Sequence, residues 1–360
     1  MSTVLEELLS NSPFSLSKEE KRQLYETELL RLTKNSYESC ENYQKILNTL
    51  SFDVNQPNNV EDFPYLPVRL FKEYDLLNVS KEEVVKTMTS SGTTGQKVSK
   101  IYLDRETSTN QTKVLTKICS EFLGNKRRPM LIIDSKAVLK NRNMFSARGA
   151  GIIGFSMLGR GATYALDEDM HLDLDAISAF LKKYEGEPIL LFGFTFIIWE
   201  HFFKELERLD VKLPLDNAVL IHGGGWKKLI DQQVDNETFK QCLASRLGDI
   251  TVLNYYGMVE QTGSIFMECE CGRLHASNYS DIIIRNPKDF SVCGVGEKGL
   301  VQLVSLLPES YPGHSILTED IGELTGEDDC PCGRYGKTFV IHGRIKNAEI
   351  RGCSDTYERK

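Results

Sequence analysis

A layered α/β fold with a largely parallel sheet and a small β-rich subdomain is what this sequence predicts. Two observations carry that reading. From Val84 to about residue 265, short apolar runs alternate with amphipathic segments of helical spacing. Past residue 265 the texture changes to short strands separated by Gly, Pro and Asn.

The elements follow in order. Residues 1–60 are charged and place apolar side chains at helical spacing (Leu5, Leu8 and Leu9, then Leu24, Leu29 and Leu30), so they predict an N-terminal helical layer. "FPYLPVRLFKEYDLL" holds two prolines and reads as an extended connector into an α/β core over 61–265. Within that core "PMLIID", "PILLFGF", "NAVLIHGG" and "DITVLNYYG" read as buried strands, while "LDLDAISAFLKKY" and "TFIIWEHFFKELERL" have helix spacing. Residues 266–345 form the β-rich subdomain, with "HASNYSDIIIRNP", "GEKGLVQLVSLL" and "GKTFVIHGRI" as strands. Residues 346–360 are polar and predict a mobile tail.

Composition excludes several classes. The 360 residues carry a net charge of −8, which argues against a general nucleic-acid or anionic-membrane binder. No basic flank precedes an unbroken apolar run near the start, so no signal peptide is expected and the address is cytoplasmic. The most apolar window, Pro188 to Phe203, is too short to span a membrane and carries Glu200 and His201. Nine cysteines without regular spacing read as reduced thiols rather than a secreted disulfide framework.

Six motifs bear on the chemistry. "TMTSSGTTGQKVSK" clusters hydroxyls and glycines (Ser90, Ser91, Gly92, Thr93, Thr94, Gly95) directly after a β-leaning run. Converging N–H groups and hydroxyls there suit phosphate oxygens, and a plain polar turn fits the residues equally well. "GAGIIG" (149–154) matches a dinucleotide pattern but lacks the preceding strand, so it is assigned to apolar packing or a pocket wall. "LIHGGGWKK" ends a strand in Gly223, Gly224 and Gly225, allowing close approach of a planar group, or simply a strand-to-helix turn. "LNYYGMVEQTGS" sets Tyr255, Tyr256 and Gly257 before Glu260, an aromatic pair for a base and a carboxylate for a divalent ion. The pairs Cys269–Cys271 and Cys330–Cys332 match a four-thiolate structural zinc site, with His275 able to replace one ligand and four unrelated thiols as the alternative. Cys353, on the polar tail beside Arg351, reads as an exposed nucleophile or as an unused surface thiol.

In this order, these segments resemble the adenylate-forming superfamily of acyl and aryl ligases, and most closely the acyl-protein synthetase family (LuxE). The resemblance covers roughly residues 60 to 360. It implies a fold like the large N-terminal domain of those enzymes, with 61–265 as the adenylation core. It implies ATP and Mg²⁺ as cofactors, with "SSGTTG" as the phosphate loop, Gly223–Gly225 on the adenine side, Tyr255 beside adenine and Glu260 on magnesium. It also implies Asp320 of "LTEDIGEL" on the ribose hydroxyls, Arg344 near the ribose and Lys346 at a hinge, with Cys353 as acyl acceptor. The implied reaction activates a long-chain fatty acid and passes the acyl group to a reductase-type partner, with an acyl transferase or thioesterase as a further partner.

Three departures stand out. Val259 occupies a position where threonine is usual, the proline–lysine after the phosphate loop is absent, and the chain stops ten residues after Ile350, without the usual C-terminal lid. The lid's absence favours acyl transfer to Cys353 over a phenylacetate-type CoA ligase. A non-catalytic nucleotide binder is the reading from another class.

Overall fold

The computed structural model describes residues 3–90, 97–139, 147–213, 215–226 and 233–345. These fall into two compact units, one drawn from residues 3–90, 97–121 and 257–345, the other from residues between 122 and 256.

The first unit opens with helices α1 (Thr3–Ser10), α2 (Lys18–Ser39) and α3 (Glu41–Thr49). A capping box starts α2: the Glu20 carboxylate accepts from the Ser17 N–H at 2.9 Å and from its hydroxyl at 2.6 Å. Tyr25, Leu29 and Leu32 then recur along the buried face of α2. The proline-bearing connector is not wholly extended. It makes a two-residue strand, β1 (Leu66–Pro67), and one helical turn, α4 (Leu70–Glu73). Pro67 has no N–H to give, and the neighbouring Val68 N–H donates to Leu317 O at 2.9 Å. The antiparallel pair β2 (Lys86–Thr89) and β3 (Lys100–Leu103) precedes α5 (Arg105–Leu123).

The second unit is the expected parallel sheet. Its strands are β4 (Arg128–Ser135), β5 (Gly159–Leu166), β6 (Leu190–Phe194), β7 (Val219–Gly223) and β8 (Thr251–Tyr256), in the order β5-β4-β6-β7-β8. Its helices are α6 (Ala147–Ser156), α7 (Leu174–Lys183), α8 (Thr195–Ile197), α9 (Lys204–Arg208) and α10 (Asn236–Leu247), with a π-helical turn (Ile198–Phe203) joining α8 to α9. Two of these starts have an aspartate cap: Asp173 accepts from the Ala176 N–H at 2.9 Å, and Asp235 from the Thr238 N–H at 2.7 Å. Leu131, Leu191, Leu220 and Val252 from the strands meet Ile177, Phe202, Phe239 and Leu243 in one core. Because β4 has β5 on one side and β6 on the other, the strand order reverses between β4 and β6. Open α/β sheets bind ligands beyond the carboxyl ends at such a point.

The chain then returns to the first unit with β9 (Phe266–Glu268), β10 (Leu274–His275), β11 (Ser280–Arg285), β12 (Lys298–Ser305), β13 (Ser315–Glu327) and β14 (Lys337–Arg344). They pair antiparallel in the order β11-β12-β13-β14-β10-β9, and β1 lies parallel against β13. The N-terminal helices are anchored to this sheet by buried polar groups. Lys21 Nζ sits 2.8 Å from Ser280 O and 3.3 Å from Asp281 Oδ1, and Lys337 Nζ lies 2.9 Å from Asp281 Oδ2. Among the described residues no helix is long and apolar enough to cross a membrane.

Candidate active site

In the second unit, the carboxyl ends of the parallel strands gather the sequence-predicted glycines and tyrosines. β7 ends at Gly223, and a Cβ built there would lie 2.5 Å from the Tyr255 ring. Only glycine lets that ring close against the strand. Gly224 follows with φ +80°, a left-handed conformation that favours glycine, while Gly225 faces open space. Tyr255 completes an aromatic group with Phe155, at 4.9 Å between ring centroids, and Phe192, at 6.5 Å. Gly151 of α6 admits it: a Cβ there would stand 2.9 Å from Phe194 and 3.7 Å from the Tyr255 hydroxyl. Thus "GAGIIG" lies in helix α6 and packs on aromatics, in line with its assignment to apolar packing. Tyr256 is half-buried at the end of β8.

Two buried pairs at these strand ends escape a sequence reading. Thr195 Oγ1 lies 2.9 Å from His222 Nδ1 and 3.2 Å from Gly223 O, so it braces the start of the glycine run. Burial pushes the His222 imidazole down to about 3. Arg148 makes a two-pronged ion pair with Asp134, both buried, tying α6 to the end of β4 beside the strand-order reversal. Asp134 closes the otherwise apolar "PMLIID", and a charge ending a buried strand was the available signal.

In the first unit, Glu260 lies in a 3₁₀ turn (Val259–Gln261) and is 4% exposed. Its surroundings fix the backbone. Tyr311 Oη donates to Glu260 O at 2.8 Å, and Gln261 Nε2 donates to Gly313 O at 2.8 Å and Leu303 O at 3.2 Å. Gly263, at φ +90°, lets this segment touch α5, where a Cβ would stand 2.7 Å from the Gln111 Cα. Burial raises the Glu260 carboxyl above its ordinary value, offset in part by the Ser99 hydroxyl and the charges of Lys72 and Arg344.

Ser90 and Ser99 form a closed neck at the ends of β2 and β3: the Ser90 N–H donates to Ser99 O at 3.1 Å, and the Ser99 N–H to Ser90 Oγ at 2.9 Å. The rest of the predicted phosphate loop, Ser91 to Gly95, lies outside the described residues, as do Lys346 and Cys353. Lys97 is ion-paired with Glu73 at 2.7 Å, and Lys100 Nζ is 3.8 Å from Asp75. Asp320 and Arg344 face each other across β13 and β14 at 3.4 Å. Gly257 opens the segment leading to Glu260.

The thiols form a separate cluster in the first unit. Ligand atoms of Cys269, His275, Cys330 and Cys332 all lie within 4.8 Å of one another. Cys271 is exposed and outside this group, and its N–H donates to Cys269 Sγ at 3.3 Å.

Comparisons with known proteins agree with this architecture. The family model described as "Acyl-protein synthetase, LuxE" matches residues 1–360. A long-chain-fatty-acid–luciferin-component ligase of Vibrio harveyi is 24% identical over 371 residues, covering 98% of this chain and 92% of the relative. Its namesake in Aliivibrio fischeri is 25% identical over 82% of this chain and 78% of that protein. Among solved structures, 2-hydroxyisobutyryl-CoA ligase in an open conformation with 2-HIB-AMP and CoA superposes with a TM-score of 0.69 at 13% identity, covering 93% of this chain and 77% of that one. The fold is therefore that of the adenylate-forming ligases.

Proposed function

The chain belongs to the acyl-protein synthetase family, LuxE, and on that premise we propose that it is an AMP-forming ligase acting on a long-chain fatty acid. The fatty carboxylate attacks the α-phosphorus of ATP. A new carboxyl-oxygen–phosphorus bond forms, the α–β phosphoanhydride bond breaks, and pyrophosphate leaves. The acyl-adenylate is a mixed anhydride, open to a thiolate. Cys353 attacks its carbonyl, AMP departs with the bonding electrons, and a thioester remains for transfer to a reductase-type partner. An acyl transferase or thioesterase supplying the acid is the further partner.

Residue roles follow from the resemblance of these motifs to those of the adenylate-forming ligases. Gly223, Gly224 and Gly225 with Tyr255 and Tyr256 take the adenine side. Gly257 leads to Glu260, and Asp320 and Arg344 take the ribose. Ser90, Ser91, Gly92, Thr93, Thr94 and Gly95 donate to phosphate oxygens. Glu260 would hold Mg²⁺, which when bound supplies positive charge beside the phosphates.

The observation that carries the reading is Glu260 itself. A carboxyl buried at 4% exposure on a backbone pinned by Tyr311 and Gln261 is costly unless something uses its charge. Ser99, Lys72 and Arg344 offset that cost only in part, and a divalent cation held there would use the rest of the charge.

The decisive experiment is intact mass after incubation with ATP, Mg²⁺ and tetradecanoate, for wild type and Cys353→Ser. One acyl added to wild type, removed by hydroxylamine and missing in the serine variant, supports the proposal. AMP formed only on adding CoA would make the protein a CoA ligase, the fate of the acyl group assigned here then being wrong.

A further inference from the structure

The geometry points to a zinc centre held by Cys269, His275, Cys330 and Cys332, independent of the reaction proposed above. Zinc takes four ligands in a tetrahedron, with Zn–S about 2.3 Å and Zn–N about 2.0–2.1 Å. Those lengths require edges of roughly 3.8 Å between two sulfurs and roughly 3.6 Å between sulfur and nitrogen. Two of the six edges have these dimensions already, and the others lie close to them. Cys269 Sγ and Cys330 Sγ are 3.8 Å apart, Cys332 Sγ and His275 Nε2 are 3.4 Å apart, and no pair exceeds 4.8 Å. At 3.8 Å the two sulfurs are far beyond disulfide bonding distance of about 2.05 Å.

Ligand type narrows the ion. Three thiols and an imidazole suit zinc and reject magnesium or calcium, which want oxygen. On binding, the three thiols release their protons to solvent, leaving a centre of net charge −1. The Arg334 guanidinium, ion-paired with Glu270 at 2.6 Å, also lies beside Cys332. Phe14 packs edge-on against His275 at 6.0 Å, holding the ring. Cys271, by contrast, is exposed, and its backbone N–H serves the Cys269 sulfur instead.

The site's position in the fold gives its purpose. Cys269 and His275 flank the β9–β10 turn, whereas Cys330 and Cys332 sit in the connection from β13 to β14. That hairpin slips register twice, between Ile321 and Gly322 and between Leu324 and Gly326, before Asp320 meets Arg344 at its far end. Glycine-rich strands specify register weakly, and this pair carries Gly322, Gly326 and Gly343. A metal fixing the turn to the neighbouring strands supplies the missing constraint, and so sets which residue faces Asp320.

The test is elemental analysis of the purified full-length chain, with X-ray absorption at the zinc edge. The expected result is one zinc per chain with three sulfur and one nitrogen neighbours. Cys271→Ser should retain the metal, while Cys330→Ser and His275→Ala should lose it or bind it far more weakly. A folded chain without zinc overturns the assignment. So does a four-sulfur shell, which would put Cys271 in place of His275, or loss of zinc from Cys271→Ser. The wild-type spectrum decides the matter even where a variant does not fold.

Discussion

Asp320 and Arg344 occupy opposed positions in the β13–β14 ladder, with Oδ1 of the first 3.4 Å from Nε of the second. The pair presents an acceptor and a donor fork side by side, suited to neighbouring hydroxyls. Losing one charged hydrogen bond to a ligand costs about 1.5–3 kcal/mol. Asp320→Ala is therefore expected to raise the KM for ATP ~10- to 150-fold in pyrophosphate exchange. An unchanged KM would remove the pair from the nucleotide site.

Glu260→Gln keeps shape and removes charge. Adenylation should fall about 10²–10³-fold, the usual cost of one preorganised electrostatic contact. Should Glu260 hold magnesium as proposed, its carboxyl, raised by burial, would bind protons in competition with the ion. Wild type should accordingly need more magnesium as pH falls, and the glutamine variant should show no such trend. Titrating magnesium at several pH values reads both.

Gly263→Ala puts a methyl 2.7 Å from the Gln111 backbone at φ +90°. Strain of about 1–2 kcal/mol and overpacking of about 1–3 kcal/mol both oppose folding. Gly225→Ala meets no atom within 4 Å and should leave stability within ~0.5 kcal/mol of wild type. Equilibrium denaturation of the two variants checks the contrast, and equal midpoints would refute it.

His222 is buried neutral, its imidazole pushed from an ordinary 6.5 to about 3. The unfolded chain therefore takes up a proton that the folded chain refuses. The stability tied to this histidine is complete above 6.5 and drains away as pH falls toward about 3. His222→Gln should flatten the acid limb of a stability–pH curve relative to wild type. A limb of undiminished slope would show that other groups carry it.

Period and composition made much of this architecture legible. "PMLIID", "PILLFGF" and "NAVLIHGG" became β4, β6 and β7 because strands buried on both faces are continuously apolar, and the half-buried "DITVLNYYG" became β8. β5, "GRGATYAL", stayed hidden because an edge strand has a half-exposed pattern and two glycines. The long β13 was masked by its glycines and alternating acids. Within the site, residues adjacent in sequence were readable, whereas partners brought from afar were not. Thr195 with His222, and Arg148 with Asp134, share no local pattern, because only strand order makes them neighbours. His275, which the sequence already offered as a replacement ligand, joins the thiols because β10 pairs with both β9 and β14.

The anchoring of α2 on β11 has a consequence for synthesis. Lys21 reaches Asp281 across 260 positions of sequence, and the Lys18 N–H reaches Asp328 across 310. At ribosomal speeds of about 5–20 residues per second, the first helices wait roughly 13–50 s before β11 emerges. The five parallel strands are complete by Tyr256, so they can settle while translation continues. During that interval the apolar stripe of α2, Tyr25, Leu29 and Leu32, has no sheet to cover it. A nascent chain stalled just after residue 256 thus exposes the surface a chaperone would hold.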